Sequence, residues 1–204
     1  MSKTDYQSTE AAAGMLASFN NYSLRLQQLL KTMDWTGVEQ LCKAILTCWQ
    51  QGGRVYICGN GGSAGNATHI ANDLLYGVNA TPGKGINVEA LSANTAVLTC
   101  LANDEGYENI FSVQLKVKVK PDDLLIVLSG SGNSKNVINA IKTASSLGAK
   151  TAAVLGYDGG GCKSLADIVV HASIDDMQIA EDIQLIVGHM IMQWFRKFTD
   201  SSIT

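Results

Sequence analysis

The stretch RVYICGNGGSAGN, residues 54–66, decides the fold, because a short apolar run breaks abruptly into glycine, asparagine and serine. The same change recurs in LLIVLSGSGNS, residues 124–134. A buried strand that runs through a glycine-rich turn into a helix presents backbone N–H groups and the positive helix end to an anion. Two such turns in one small chain predict a phosphorylated ligand at the carboxyl ends of parallel strands.

The second turn carries the more specific signal, because hydroxyl groups surround its two glycines. Serine and asparagine donate hydrogen bonds without charge, and glycine lets the backbone approach a ligand closely. Such a cluster can surround a phosphate monoester without lysine or arginine. The alternative is a plain polar turn that ends the strand and caps a helix from Ser134. We favour phosphate binding, because a plain turn seldom needs so many small polar residues. The cluster comprises Ser129, Gly130, Ser131, Gly132, Asn133 and Ser134.

Composition limits the possible partners of the chain. Its 204 residues are enough for one domain with a substantial core. Hydrophobic residues make up 46% and charged residues only 16%, which indicates that other subunits cover part of the apolar surface. The net charge of −3 argues against a nucleic-acid partner, because proteins that bind the phosphate backbone usually carry a basic stripe.

The cellular location is predicted from the apolar runs and the cysteines. Met1 to Glu10 is polar, and no apolar run approaches the roughly 18 residues that a membrane span needs. Five cysteines without a C-x-x-C pair are typical of reduced thiols rather than of a disulfide framework. We therefore expect a cytoplasmic protein with no membrane partner.

Apolar residues at a spacing near 3.6 predict a helix near 9–30. Asp34 as an N-cap and Gly52-Gly53 as an end predict a second helix to about residue 51, and we expect the two to form a helical hairpin. After residue 53, short apolar runs alternate with helical stretches. This alternation predicts an α/β chain, a three-layer α/β/α sandwich with a five-stranded parallel sheet. The strands are expected near 54–58, 86–90, 123–128, 150–155 and 167–171, and a long last helix near 177–198.

The domain organisation follows from the same pattern. Because no low-complexity linker interrupts the chain, we expect a single domain over 1–204. Residues 1–52 would serve packing or oligomerisation, and residues 53–204 would form the α/β core and the last helix.

The first turn also matches a loose dinucleotide fingerprint, Gly59-x-Gly61-x-x-Ala64, with Glu89 ending the next strand. The acidic residue then lies about thirty residues downstream rather than roughly twenty. A dinucleotide would also leave the second turn unexplained, so we expect no nucleotide cofactor. A dinucleotide-dependent oxidoreductase remains the third hypothesis.

Two histidines and two carboxylates form the candidate reactive set. His69 and Asp73 lie at i and i+4 of one helix and therefore share a face. Glu181 and His189 are two turns apart in the last helix, about 12 Å along an ideal axis. They converge on one ligand only if both side chains lean inward, or if one acts across a subunit interface. His171 ends a predicted strand without a companion, and we expect it to be structural.

These residues resemble the sugar isomerase (SIS) domain proteins, and within them the phosphoheptose isomerase branch. The resemblance covers nearly the whole chain and is specific for the fold and for phosphosugar binding. It rests on residues 58–63, His69, residues 101–107 (LANDEGY), residues 129–134 and Gly188-His189.

The resemblance implies a homotetramer with active sites at subunit interfaces. It also implies conversion of a ketose phosphate to an aldose phosphate through an enediol, with a glutamate and a histidine as acid and base. Several members of the family bind zinc. By position, His69 matches a metal ligand and His189 the catalytic histidine. The expected substrate contacts are Asn60, Gly61, Gly62, Ser63, Asn103, Asp104, Ser129, Gly130, Ser131 and Ser134.

Three positions depart from the family pattern. Asp73 stands where the family has glutamate, Glu181 where it has glutamine, and Gly130 where it usually has threonine. The set of His69, Asp73, Glu181 and His189 nevertheless suits a divalent metal, so we expect zinc as a possible cofactor. The first two changes are then correlated, because a glutamate is lost from the helix that holds Asp73 and gained at Glu181 in the last helix.

The leading hypothesis is thus a sugar-phosphate isomerase that supplies precursors of surface polysaccharides, with sedoheptulose 7-phosphate or a related sugar phosphate as the ligand. We expect Asp73 or Glu181 to act as base and His189 as acid. The alternative is a non-catalytic, tetrameric phosphosugar-binding scaffold, similar to the SIS protein that assists bacterial replication initiation. Survival of His69 and His189 favours catalysis.

Overall fold

The computed structural model describes residues 3–79, 81 and 83–201 of the chain. Within them, helices and strands alternate after two N-terminal helices, as the sequence predicts. The helices are α1 (Lys3–Thr32), α2 (Thr36–Gln50), α3 (Gly62–Asn72), α4 (Thr95–Asp104), α5 (Ser112–Lys118), α6 (Lys135–Ser146), α7 (Gly160–Leu165) and α8 (Met177–Ser201). The strands are β1 (Val55–Cys58), β2 (Val88–Ala90), β3 (Leu124–Ser129), β4 (Lys150–Leu155) and β5 (Ile168–His171).

The five strands form one parallel sheet in the order β2-β1-β3-β4-β5. All six residues of β3 and five of the six in β4 are buried, because helices cover both faces of the sheet. The predicted three-layer sandwich with a five-stranded parallel sheet is confirmed.

Strand order places the two glycine-rich turns side by side. β1 pairs with β2 on one side and with β3 on the other, so the chain changes its winding direction between β1 and β3. Cys58, the last residue of β1, pairs with Val127 near the end of β3. Ligands of open α/β sheets bind in the crevice that opens at such a point, beyond the carboxyl ends of the strands.

The chain divides into two compact units, one ending at Met33 and one beginning at Asp34. The second helix therefore belongs to the unit that holds the sheet. It packs closely on β5, because a Cβ at Gly37 would lie 2.3 Å from the carbonyl oxygen of Val169. In the described part of the chain, no helix has both the length and the hydrophobicity that crossing a bilayer requires.

The helical backbone changes its hydrogen-bond pattern after α3. That helix ends at Asn72, and a π-helical turn, Asp73–Gly77, continues it. The backbone N–H of Val78 donates to Asp73 five residues earlier, and that of Ile86 donates to Leu74. The segment that leads into β2 thus donates a hydrogen bond to a carbonyl of the π-helical turn. Such π-helical turns occur often at functional sites.

Candidate active site

A reciprocal pair of amide hydrogen bonds joins the first glycine-rich turn to the start of α6, the helix that follows the second turn. Asn60 of the first turn donates to Asn136 at 2.9 Å, and Asn136 donates back at 2.8 Å. The hydroxyl of Tyr107 donates to the same oxygen of Asn60 at 2.8 Å. Asn136 is only 1% exposed, so this pairing satisfies an amide that burial would otherwise penalise.

Sequence reasoning missed Asn136, and it included Tyr107 only as part of the motif at 101–107 without giving it a role. Asn136 begins the buried face of α6, which continues through Ala140 and Ala144. A polar residue at the first turn of an otherwise apolar helix face is a signal that could have identified it.

The first turn approaches the end of β3 very closely. A Cβ at Gly59 would lie 2.8 Å from the carbonyl oxygen of Leu128, so only glycine fits there. Gly61, which precedes α3, has φ +54°, a backbone conformation that side chains rarely adopt. Gly62 follows and is exposed, so its backbone at the start of α3 is open to solvent.

The hydroxyls of the second turn divide into two kinds. Ser129 is buried, and its oxygen accepts the Gly132 N–H at 3.0 Å, so it shapes the turn. Ser131 is partly exposed and accepts the Asn133 N–H at 3.3 Å.

Ser134 precedes α6 and makes no side-chain capping bond within the described residues. The plain-turn alternative expects that bond. Without it, the first backbone N–H groups of α6 are not capped by Ser134 and are available to bind an anion.

Three of the four predicted metal ligands converge. The Nε2 atoms of His69 and His189 lie 2.9 Å apart, and Asp73 Oδ2 lies 3.5 Å from the first and 3.6 Å from the second. The imidazoles are about half exposed, whereas the Asp73 side chain is only 17% exposed. The carboxylate is therefore the buried member of the set, and the two imidazoles face solvent, where a ligand can approach.

These separations fit a divalent metal. Zinc holds nitrogen and oxygen ligands at about 2.0–2.1 Å in a tetrahedron, so neighbouring ligand atoms are about 3.3 Å apart. Two imidazoles and one carboxylate also form a typical catalytic zinc set, in which a fourth position stays open. His69, Asp73 and His189 have both the donor chemistry and the spacing that this set requires.

Glu181, the fourth predicted ligand, lies outside this set. Its carboxylate lies instead against the start of α3, where a Cβ at Gly62 would be 2.3 Å from Oε2. A carboxylate is favourable there because the helix N-terminus carries partial positive charge. The structure thus separates the two predicted carboxylates, with Asp73 beside the histidines and Glu181 beside the first turn.

A polar network aligns α3 with α8. Gln184, which is 1% exposed, donates to the hydroxyl of Ser63 at 3.0 Å. The Asn66 amide donates to the side-chain oxygen of Gln184 and to the backbone oxygen of Glu181, both at 3.0 Å. Ser63, a predicted substrate contact, is therefore buried in this network, and a contact from its hydroxyl to substrate stays a prediction.

Further along the two helices, a glycine brings the backbones together. A Cβ at Gly188 would lie 2.6 Å from Cγ1 of Ile70. These two residues directly adjoin His189 and His69, so the close approach places the imidazoles in contact.

Asn103 and Asp104 end α4 and are exposed. Asn103 donates to Asp104 at 2.7 Å, and Asp104 accepts from the thiol of Cys100 at 3.4 Å. The described link from this segment to the crevice is Tyr107, through its bond to Asn60. A substrate contact from Asn103 or Asp104 stays a prediction.

The thiols near the crevice are poorly suited to nucleophilic chemistry. Burial raises the pKa of Cys58 far above its usual range and that of Cys162 to about 11. The hydrogen bond to Asp104 raises the pKa of exposed Cys100. All three thiols are therefore protonated at neutral pH, and the histidines and carboxylates remain the candidate reactive groups.

Comparison with known proteins was consistent across sequence and structure. Residues 18–156 match the SIS domain family. The chain is 37% identical over 176 residues to a phosphoheptose isomerase of Chlorobaculum parvum, covering 84% of this chain and 83% of that one. The structure is similar to phosphoheptose isomerases of Neisseria gonorrhoeae (26% identity, TM-score 0.83, 91% and 99% covered) and Francisella tularensis (25%, 0.84, 91% and 98%).

The close helix approach predicts the effect of Gly188→Ala. The added methyl group collides with Ile70, pushes α8 from α3 and separates the imidazoles. We expect the affinity for zinc, measured by titration against a chromophoric chelator, to fall about tenfold. The double variant with Ile70→Ala should regain part of the loss, because it removes the colliding atoms.

Gly65→Ala is the matched control, since a Cβ there meets open space on the same helix α3. Its zinc affinity should equal that of the unchanged protein. An unchanged affinity in Gly188→Ala, or an equal loss in Gly65→Ala, would contradict this assignment.

Proposed function

The chain belongs to the SIS domain family, in its phosphoheptose isomerase branch, and we propose that it interconverts a ketose phosphate and an aldose phosphate through an enediol. The proposed substrate is sedoheptulose 7-phosphate or a related sugar phosphate that supplies precursors of lipopolysaccharide or capsule. The observation that carries the proposal is the meeting of two anion-binding turns at β1 and β3, beside helices that bring two histidines and an aspartate together.

In this proposal the second turn binds the phosphate. Ser131 and Ser134 supply hydroxyls, and the start of α6 supplies backbone N–H groups. Tethering the phosphate fixes the position of the reacting carbons, which removes much of the entropy cost of the reaction. Ser129 and Gly130 act by shaping the turn, and Asn60, Gly61 and Gly62 bound the crevice on its other side.

Aldose–ketose interconversion moves a proton between C1 and C2, so it needs a base and a group that protonates the oxygens. We propose His189 as the acid when no metal is bound; with a metal on its Nε2, the metal would polarise the substrate oxygens in its place. The base is Asp73 or Glu181, and these two carboxylates lie in different surroundings. Asp73 contacts both imidazoles, whereas Glu181 lies beside the first turn, on the side of the crevice opposite the phosphate.

We propose that zinc is held by His69, Asp73 and His189, because their atoms fit its ligand chemistry and spacing. When bound, a divalent metal would stabilise negative charge that develops on the enediolate oxygens. Glu181 then stays free of the metal and is available to move the proton.

We also propose a homotetramer with sites completed at subunit interfaces. His69 lies seven residues beyond Gly62, about 10 Å along the axis of α3, so the histidines of one chain are distant from its own first turn. In addition, Met190 and Trp194 are 46% and 44% exposed on α8, beside an apolar groove of about 540 Å³. Association would cover that surface. We expect the assembly to be cytoplasmic, with residues 1–52 contributing to its interfaces.

Replacement of His189 by Ala tests the proposed reaction. In D₂O, the unchanged protein should exchange the transferred hydrogen of sedoheptulose 7-phosphate for deuterium, observed by NMR. His189→Ala should slow this exchange by about 10²- to 10⁴-fold, because it loses general acid catalysis. Binding of the sugar phosphate, measured by calorimetry, should change little.

Gln193→Ala, an exposed position one turn further on α8, is the control and should keep full exchange. Equal loss of binding and exchange in His189→Ala would contradict the assigned role. Absence of exchange in the unchanged protein would favour the scaffold function instead.

Zinc titration of two carboxylate variants tests whether the metal has three protein ligands or four. Asp73→Asn should lower the affinity at least tenfold, because the amide is a weaker ligand than the carboxylate. Glu181→Gln should leave it within about twofold, since that carboxylate lies outside the set. An equal loss in both variants would support the four-ligand set expected from the sequence.

A further inference from the structure

We propose that His171 is a positioning residue for the phosphate-binding turn, acting through residues 156–162, which we call the supporting turn. The proposal rests on the function proposed above, in which residues 129–134 bind phosphate. It assigns a role to a histidine that the sequence left without a companion.

The supporting turn holds the phosphate-binding turn through three backbone N–H donors, and one of them, that of Gly156, also donates to the Ser129 oxygen at 3.4 Å. The N–H of Gly156 donates to the Gly130 oxygen at 2.9 Å, and that of Cys162 donates to the Gly132 oxygen at 3.0 Å. The N–H of Gly161 donates to the side-chain oxygen of Asn133 at 3.0 Å. The orientation of the phosphate-binding turn therefore depends on where the supporting turn lies.

These bonds also set the direction of a ligand-binding group. In a planar trans peptide, the C=O of one residue and the N–H of the next point in opposite directions. The Gly130 oxygen points at Gly156, so the N–H of Ser131 points away from the supporting turn. Ser131 is one of the residues expected to contact phosphate. The direction of its N–H is set by the hydrogen bond that the Gly130 carbonyl, in the same peptide group, accepts from Gly156.

The two turns are too close to move independently. A Cβ at Gly132 would lie 2.0 Å from the Gly159 oxygen, and one at Gly160 would lie 2.4 Å from the Ser131 oxygen. A displacement of the supporting turn is therefore transmitted directly to the phosphate-binding turn.

The supporting turn is itself held in an unfavourable conformation. Tyr157 has φ +45°, a value that non-glycine residues rarely adopt, so its neighbours must impose it. Its N–H donates to the Ile174 oxygen at 3.0 Å, and its carbonyl oxygen lies 3.0 Å from Nε2 of His171. His171 thus fixes one of the two peptide groups that flank the strained residue.

Lys163 selects which ring nitrogen of His171 carries the proton. Its ammonium nitrogen lies 3.3 Å from Nδ1 of His171, and an ammonium group can only donate. Nδ1 is therefore the acceptor, and the ring proton resides on Nε2, where it donates to the Tyr157 oxygen. The charge of Lys163 in this way selects the tautomer that holds the supporting turn.

Two substitutions of His171 separate positioning from bulk packing. His171→Phe keeps the ring shape and loses both hydrogen bonds, whereas His171→Gln keeps a donor in reach of Tyr157 and an acceptor for Lys163. We measure kcat and KM with sedoheptulose 7-phosphate, and the Kd of inorganic phosphate by calorimetry. Lys150→Met, at the opposite end of β4, is the control for the loss of a lysine.

His171→Phe should raise both KM and the phosphate Kd about fivefold, the effect of losing one hydrogen bond, with kcat unchanged within twofold. His171→Gln should restore both values. Lys163→Met keeps the stem of the side chain and should raise the phosphate Kd in the same direction, which tests the proposal even if His171→Phe fails to fold.

Unchanged phosphate affinity in both His171→Phe and Lys163→Met, or a fall in kcat alone, would overturn the proposal. The same shift in Lys150→Met would also overturn it. If the unchanged protein binds phosphate but turns over no sugar phosphate, the proposed function fails, and the phosphate Kd values of the variants still decide the role of His171.

Discussion

The reciprocal amide pairing of Asn60 and Asn136 is the contact on which the site depends. Adjacent parallel strands bring the ends of β1 and β3 together, but only a specific contact between the segments that follow fixes how the two turns face each other. A buried amide left without a partner is costly, so each side chain strongly favours the arrangement that satisfies the other. The crevice is thereby shaped before any ligand arrives.

Two further sets of contacts position the groups around this pair. Along α3 and α8, the network of Ser63, Asn66 and Gln184 and the close approach at Gly188 bring His69 to His189. On the other side, the supporting turn orients the peptides of the phosphate-binding turn. The proposed reactive groups and the proposed phosphate site are thus positioned by separate sets of contacts that share the same two turns.

Much of this was predictable from sequence, because it depends on local signals. Strands, helices and both turns follow from apolar spacing and glycine, and the pairing of His69 with Asp73 follows from helical periodicity. Contacts between distant elements were not predictable in this way. Asn136 lies 76 residues from Asn60, and Gln184 lies 121 residues from Ser63. Spacing along α8 also could not show that Glu181 lies beside Gly62, away from the histidines.

A crystal structure of the protein with sedoheptulose 7-phosphate bound tests the central claim most directly. We expect the phosphate oxygens within hydrogen-bond distance of the Ser131 and Ser134 hydroxyls and of the N–H groups that begin α6, with the Asn60–Asn136 pair intact. A phosphate bound away from the crevice between β1 and β3, or an Asn60–Asn136 pair broken in the complex, would contradict it.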